Sequence, residues 1–321
     1  MVAARYSCSA SITRTTYGIP HIEARDWRGV GYGVAYAYAE DNLCLLAEEF
    51  ATVAGERSLH FGPQATATLG FEQVDNLSSD VFFRTIIDLP TLREGAKSLT
   101  PRVIGLLDGY VAGYNRFLKD AGADGIPAEC RDKAWVRPIT RDDMLRLNEK
   151  QMLLASSLNL APAIANAAPP GSPAPKVAIN MPKPDELGIG SNGWAFGGDV
   201  TADGRGMLIG NPHFPWKGPS RFWQMHVTGP DGYDVMGVGL AGTPLPTLGF
   251  NKDIAWTHTV TQAKHFTLFQ LTLDPADPTR YMVDGTSTPM TQQTVTVPMP
   301  EGTPAVTRTL YNTRFGPVFV I

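Results

Sequence analysis

Residues 167–197 read AAPPGSPAPKVAINMPKPDELGIGSNGWAFG. The stretch changes character at Gly190. Before it the chain is punctuated by Pro169, Pro170, Pro173, Pro175, Pro182 and Pro184, the composition of an exposed, easily cut linker. After it, Ser191-Asn-Gly-Trp-Ala-Phe opens a run of short strand-like segments. Working outward, residues 1–168 form a mostly helical region, 169–190 a spacer and 191–321 a β-rich region.

Upstream, an opening strand is expected at Ser11–Tyr17, where Thr alternates and Gly18 and Pro20 follow. Residues 29–53, dense in Ala, Leu and Glu, read as a helix. The cleanest signal lies at 102–120. Val103, Leu106, Leu107, Tyr110, Val111, Tyr114, Phe117 and Leu118 recur at three and four and form one apolar stripe. A third helix should begin near Thr140, where Thr140 and Asp143 resemble a capping box. Downstream, strands are expected at 193–197, 206–209, 222–228, 233–238, 255–260, 266–273 and 294–297. Asp203-Gly204, Asp231-Gly232 and Asp284-Gly285 mark turns between them. Phe315-Gly-Pro-Val-Phe-Val-Ile321 reads as a strand cut short.

The 321 residues are 43% hydrophobic and 18% charged, enough to bury a core and to exclude wholesale disorder. Net charge is −4 with no Lys/Arg run, so no nucleic-acid partner is expected. No apolar run nears the roughly 20 residues of a membrane span, and none is expected. Met1–Tyr6 has no apolar stretch of a secretory signal. Cys8, Cys44 and Cys130 match no zinc spacing. They read either as idle thiols or as one disulfide with a spare thiol, which needs an oxidising compartment.

Several motifs fail on context. Gly188-Ile-Gly190-Ser-Asn-Gly193 is a literal G-x-G-x-x-G. A dinucleotide site needs a strand before it, a helix after it and an acid about 20 residues on. Here a proline-rich segment precedes it, poor helix follows, and His213 stands where the acid belongs. Ser191 lacks the first glycine of a G-x-S-x-G elbow. His258 and His265 have no acidic residue between them and read as strand or loop histidines rather than metal ligands. No cofactor and no metal is expected.

Gly190-Ser191-Asn192 remains. A cut before Ser191 would turn it into a chain terminus. An α-amine with a pKa of about 7.7–8.0 would then sit on the same residue as the hydroxyl. One residue would supply both nucleophile and base. Gly190, without a Cβ, leaves its carbonyl open to that hydroxyl. The plainer reading is a serine in a loop.

Gly190-Ser-Asn-Gly-Trp194 followed by Asn211-Pro-His-Phe-Pro-Trp216 resembles the N-terminal-nucleophile penicillin acylase family. So do Tyr17-Gly-Ile-Pro-His21, Gly31-Tyr-Gly33, Ala37-Tyr-Ala-Glu-Asp41, Gly249-Phe250 and Trp256-Thr-His-Thr-Val260, in the expected order. The likeness runs through nearly the whole chain and is strongest to acyl-homoserine lactone acylases and aculeacin-type lipopeptide acylases. It implies an α+β fold, an αββα sandwich cut from one precursor into α and β chains that stay together as a heterodimer. It implies autocleavage at Gly190–Ser191, Ser191 as nucleophile, and His213 positioning the freed amine. Val260 is implied to supply a backbone N–H to the oxyanion hole. A second donor, an asparagine, is expected beyond Ile321, so the chain reads as a fragment, expected to be inactive alone. Thr261–His265 carries no carboxylate where calcium-binding relatives have aspartates, so no calcium is expected there. Cys44 and Cys130 sit where similar acylases carry cysteines, which implies a disulfide and a periplasmic or secreted protein.

Phe214, Leu240 and Leu245 match positions facing the acyl pocket in the family, while ordinary core is the other reading of the two leucines. The expected reaction is hydrolysis of a small-molecule N-acyl amide, foremost a long-chain acyl-homoserine lactone. Lipopeptides and β-lactams such as penicillins or cephalosporins are the alternative substrates. An inactive, truncated binding module is the alternative from another class.

Overall fold

The computed structural model describes residues 9–69, 72–154, 156–172, 190–260 and 265–319. Outside them lie Cys8, residues 173–189 of the spacer, residues 261–264 of the stretch where no calcium is expected, and the last two residues. The chain divides into two units, one of Met1–Phe50, Thr91–Asn148 and Pro184–Gln262, the other of Ala51–Pro90, Glu149–Lys183 and Ala263–Ile321.

In the first unit a six-stranded sheet runs in the order Ser11–Arg14, Pro20–Glu23, Trp223–Thr228, Asp234–Gly239, Leu248–Phe250, Ala255–Trp256. Neighbours are antiparallel except at one seam. There Pro20–Glu23 pairs in parallel with Trp223–Thr228, matching His21 to His226 and Ile22 to Val227. The period of two puts Ile22, Met225, Val227 and Val235 on the buried face. His21 and His226 share the other face. Their Nδ1 atoms are 2.8 Å apart, and His226 Nε2 lies 2.8 Å from an Asp234 carboxylate oxygen.

Helix Trp27–Val53 covers the buried face, with Gly33 against the Ile22 side chain and Tyr38 edge-on to Trp223. It bends at Asn42, whose φ of −145° leaves the helical region and whose side chain accepts from Arg221. Helix Pro101–Ala121 packs on it backbone to backbone. A Cβ at Gly31, Gly109 or Gly113 would overlap carbonyls of Leu106, Arg28 or Tyr32, so no larger residue fits this seam. The expected apolar stripe holds, with Leu106, Leu107, Tyr110, Tyr114 and Phe117 buried, but Val103 at its start is exposed. Cys44, on the first helix, and the fully buried Cys130 are joined as a disulfide with Cα atoms 5.5 Å apart.

The helix Arg141–Leu153 begins as expected, but only half of the capping box forms. Asp143 accepts the Thr140 backbone N–H at 2.8 Å, while the Thr140 hydroxyl donates to the same carboxylate oxygen instead of capping the helix. Burial pushes the Asp143 carboxyl up, but hydrogen bonds from Arg137 and Thr140 outweigh it and hold the group below its usual value. A depressed carboxylate contributes stability above its unfolded pKa of about 3.9, which is lost as pH falls through the folded value. Asp143→Ala should therefore destabilise by about 2–3 kcal/mol at pH 7, because it removes the carboxylate that accepts from Arg137 and Thr140. The cost should shrink as pH falls through the lowered folded value, as chemical denaturation of both proteins at each pH would read out.

The second unit holds helices the sequence reading passed over. Asn76–Ile86 is capped by Asp75, which accepts the Ser78 N–H at 2.9 Å. From that helix the buried Asp80 accepts the N–H groups of Arg57 and Ser58, at 2.8 and 2.6 Å. It thereby satisfies the first turn of Arg57–Phe61. Two three-stranded sheets follow, Leu273–Asp274/Asp277–Val283/Thr286–Pro289 and Thr291–Val297/Val306–Thr313/Gly316–Pro317. The Asp284-Gly285 turn forms with φ of 50° and 77°, the positive pair a tight hairpin requires. The strand expected at 266–273 is corrected to Leu273–Asp274, and that at 255–260 to Ala255–Trp256.

Candidate active site

The site is built on a hairpin of the first unit. Ser191–Phe196 pairs with Met207–Pro212, Ser191 opposite Pro212 and Asn192 opposite Asn211. The turn carries Asp203-Gly204, with Gly204 at φ 71°. Pro212 has no N–H, but its pair with Ser191 is a non-hydrogen-bonded one. The next rung is made by His213, whose N–H donates to the Gly190 carbonyl at 3.1 Å. Proline is therefore tolerated at the point where the strand must release His213.

The Gly190 carbonyl accepts a second bond, from the hydroxyl of Ser191 itself. One carbonyl is thus polarised by two donors, and the nucleophile expected from the sequence lies against the bond it is expected to cut. The His213 ring takes the other side. A Cβ built at Gly190 would stand 3.1 Å from His213 Nδ1. The far nitrogen, Nε2, lies 3.1 Å from Asn211 Nδ2. The structure thus gathers Gly190, Ser191, His213 and Asn211.

Val260 is reached through the segment after Ala255–Trp256. Trp256 Nε1 donates to the Thr247 carbonyl at 2.8 Å and anchors the turn into that segment. Thr257 then lies over the hairpin. Its side chain is 3.0 Å from the Cβ positions of both Gly193 and Gly210, facing partners in the ladder. A Cβ at either position would press on the Thr257 side chain, so the glycine of Ser-Asn-Gly-Trp lies as a close floor under residues 257–260. Thr259 lies 3.8 Å from the same Gly193 position, and Val260 follows, 41% exposed.

The expected pocket residues lie on two loops of the first unit. Phe214 packs on Phe222 with ring centroids 4.8 Å apart. Leu240 and Leu245 are half-buried in the loop after Asp234–Gly239, which is closed by Thr243 donating to the Leu240 carbonyl at 2.8 Å. An apolar cavity of about 570 Å³ does open in the second unit, lined by Leu268, Phe269, Leu271, Phe315, Val318 and Phe319 among others. None of the expected site residues lines it. Among the described residues, no group of three His, Cys, Asp or Glu side chains is arranged to hold a metal ion. No helix among them is long and apolar enough to cross a membrane.

Sequence reasoning gave no role to Asn211 or Thr257, although both stand inside the quoted motifs. Their signal was position alone, two residues before His213 and three before Val260.

The penicillin amidase family model matches residues 9–320, and the chain belongs to that family. Its similarity is high to acyl-homoserine lactone acylase PvdQ of Pseudomonas putida, 46% identical over 97% of this chain. The same enzyme of Pseudomonas fluorescens is 45% identical over 96%, and aculeacin-A acylase of Actinoplanes utahensis 39% identical over 98%. The chain spans 41% of the length of each of these relatives. Penicillin G acylase of Alcaligenes faecalis superposes with a TM-score of 0.39 at 24% identity, over 45% of this chain and 72% of that one. The family assignment rests on the sequence match, not on that overlay.

Proposed function

We infer that the protein is a self-activating N-acyl amide hydrolase. The observation that carries this is the Gly190 carbonyl held by both the Ser191 hydroxyl and the His213 N–H. Cleavage there frees the Ser191 amine beside its own hydroxyl. In turnover Ser191 attacks the substrate amide, the amine leaves, and water releases the acid from the ester. The backbone N–H of Val260 is one donor to the tetrahedral oxyanion, a role supported by the placement of residues 257–260 over the hairpin. Residues 1–168 form the α chain, 169–190 the spacer and 191–321 the start of the β chain, joined in an αββα sandwich as a heterodimer. A periplasmic or secreted location is supported by the Cys44–Cys130 disulfide, which persists in oxidising compartments.

The substrate read most directly from the relatives is a long-chain N-acyl-homoserine lactone, with Phe214, Leu240 and Leu245 facing the acyl chain. Each buried CH₂ contributes about 0.8 kcal/mol, so chains lengthened within the pocket should bind progressively better. Aculeacin-A acylase, at 39% identity, keeps a lipopeptide acylase as the second reading. The full-length protein should be assayed on a long-chain acyl-homoserine lactone, an echinocandin-type lipopeptide and a penicillin side by side. The highest kcat/KM is expected on the lactone. A higher value on the penicillin or the lipopeptide would replace the substrate and leave the hydrolase.

A further inference from the structure

The ring of His213 is bracketed. On one side Nδ1 faces Gly190, 3.1 Å from where a Cβ would stand, and on the other Nε2 faces Asn211 Nδ2 at 3.1 Å. An amide nitrogen can only donate a hydrogen bond, so Nε2 accepts and the proton of the neutral ring is confined to Nδ1. Among the described residues no carboxylate or cation is paired with this exposed ring, and the amide is the side chain that favours this tautomer. The backbone N–H of the same histidine already donates to the Gly190 carbonyl. Asn211 belongs to the hairpin ladder, opposite Asn192, and its backbone is fixed by strand pairing before its side chain meets the ring.

We propose that Asn211 is the positioning residue for chain cleavage, holding the His213 ring so that Nδ1–H faces the Gly190 side of the Gly190–Ser191 bond. The proposal rests on the reading that this bond is cut by Ser191. In that step Ser191 Oγ bonds to the Gly190 carbonyl carbon and the carbon–nitrogen bond breaks. The hydroxyl proton ends on the Ser191 nitrogen, leaving an ester and a free amine. Water then splits the ester into the Gly190 carboxylate and the Ser191 hydroxyl. Negative charge gathers on the Gly190 oxygen in the tetrahedral intermediate. The His213 backbone N–H already donates to that oxygen, and the ring Nδ1–H faces the same glycine, where it can turn to the developing charge. His213 supplies the contact, and Asn211 acts through it.

The test follows cleavage of the full-length precursor over time, across about pH 5–8, in wild type, Asn211→Ala, Asn211→Asp and Ser191→Ala. Asn211→Ala frees the ring and should slow cleavage on the order of 10-fold or more. Asn211→Asp is nearly isosteric but reverses the polarity. The neutral ring then keeps its proton on Nε2, and Nδ1 donates only while the ring is cationic. Its cleavage should run near the wild-type rate at the acid end and fall as pH rises through the histidine range, a limb that wild type lacks. Both variants cutting at the wild-type rate with the wild-type profile would overturn the proposal. So would equal slowing of both with profiles parallel to wild type, because that is a purely structural effect. If Asn211→Ala does not fold, the profile of Asn211→Asp decides. A wild type that stays uncut, or a Ser191→Ala variant that is still cut, refutes the cleavage reading itself, which keeps the two failures apart.

Discussion

Replacing Ser191 with alanine should leave the precursor as one uncut chain with no measurable acylase turnover, a loss on the order of 10⁴-fold or more. The size of the effect follows from the double duty of the residue. Its hydroxyl lies against the Gly190 carbonyl, and in the proposed mechanism cleavage would make its α-amine the base for the same hydroxyl. Deleting the oxygen removes cleavage, and without cleavage there is no base. The surrounding hairpin should survive, since its ladder from Ser191–Pro212 to Phe196–Met207 is made by backbone groups the substitution does not touch. Gel electrophoresis and a turnover assay on the variant would read both effects. A variant still cut to two chains would place the nucleophile elsewhere.

The second large effect should come from the disulfide. Cys44 and Cys130 are 86 residues apart in sequence, and both belong to the unit that carries the hairpin. Closing a loop of that length restricts the unfolded chain and stabilises the fold by about 4 kcal/mol. Replacing both cysteines with serine should lower the melting temperature on the order of 10 °C, as should reduction of the native protein. The buried Cys130 leaves a hydroxyl without solvent in the serine variant, which adds to the loss. Unchanged melting in the presence of reductant, with thiol titration confirming two free cysteines, would contradict this account.

Local rules carried the reading where local interactions decide the structure. Asp203-Gly204, Asp231-Gly232 and Asp284-Gly285 all became turns, because positive φ is cheap there and costly elsewhere. The helix at 101–121 was legible from its stripe because one face of it meets the core. The cysteine pairing came from resemblance alone, since three cysteines leave the partner open. Where contacts are distant, the sequence was silent. Nothing in Pro20–Glu23 announces a parallel partner some 200 residues later. Gly31, Gly109 and Gly113 look like weak helix positions until the second helix is laid on them. The helix at 76–86 starts Asn-Leu-Ser-Ser-Asp, residues that favour turns on their own. Its cap at Asp75 and the contacts of Asp80 to Arg57 and Ser58 override that preference. Residues 257–260 alternate like a strand, yet they leave the sheet, and Thr257 lies over Gly193 and Gly210, a contact between distant residues.

The same division holds in the site. Ser191 and Gly190 could be read from chemistry, a nucleophile that brings its own base beside a residue with no Cβ. His213 was legible only through the family motif, and Asn211 not at all. Its role depends on which atom of its amide faces which nitrogen of the ring. That is a distance, and no residue spacing encodes it.

The central claim is that Ser191 becomes a chain terminus. The measurement is the intact mass and N-terminal sequence of the purified wild-type protein produced from its full reading frame. Two chains, the second beginning Ser-Asn-Gly-Trp, are the result this account predicts. A single folded, soluble chain with an intact Gly190–Ser191 bond that nevertheless hydrolyses acyl amides would contradict it.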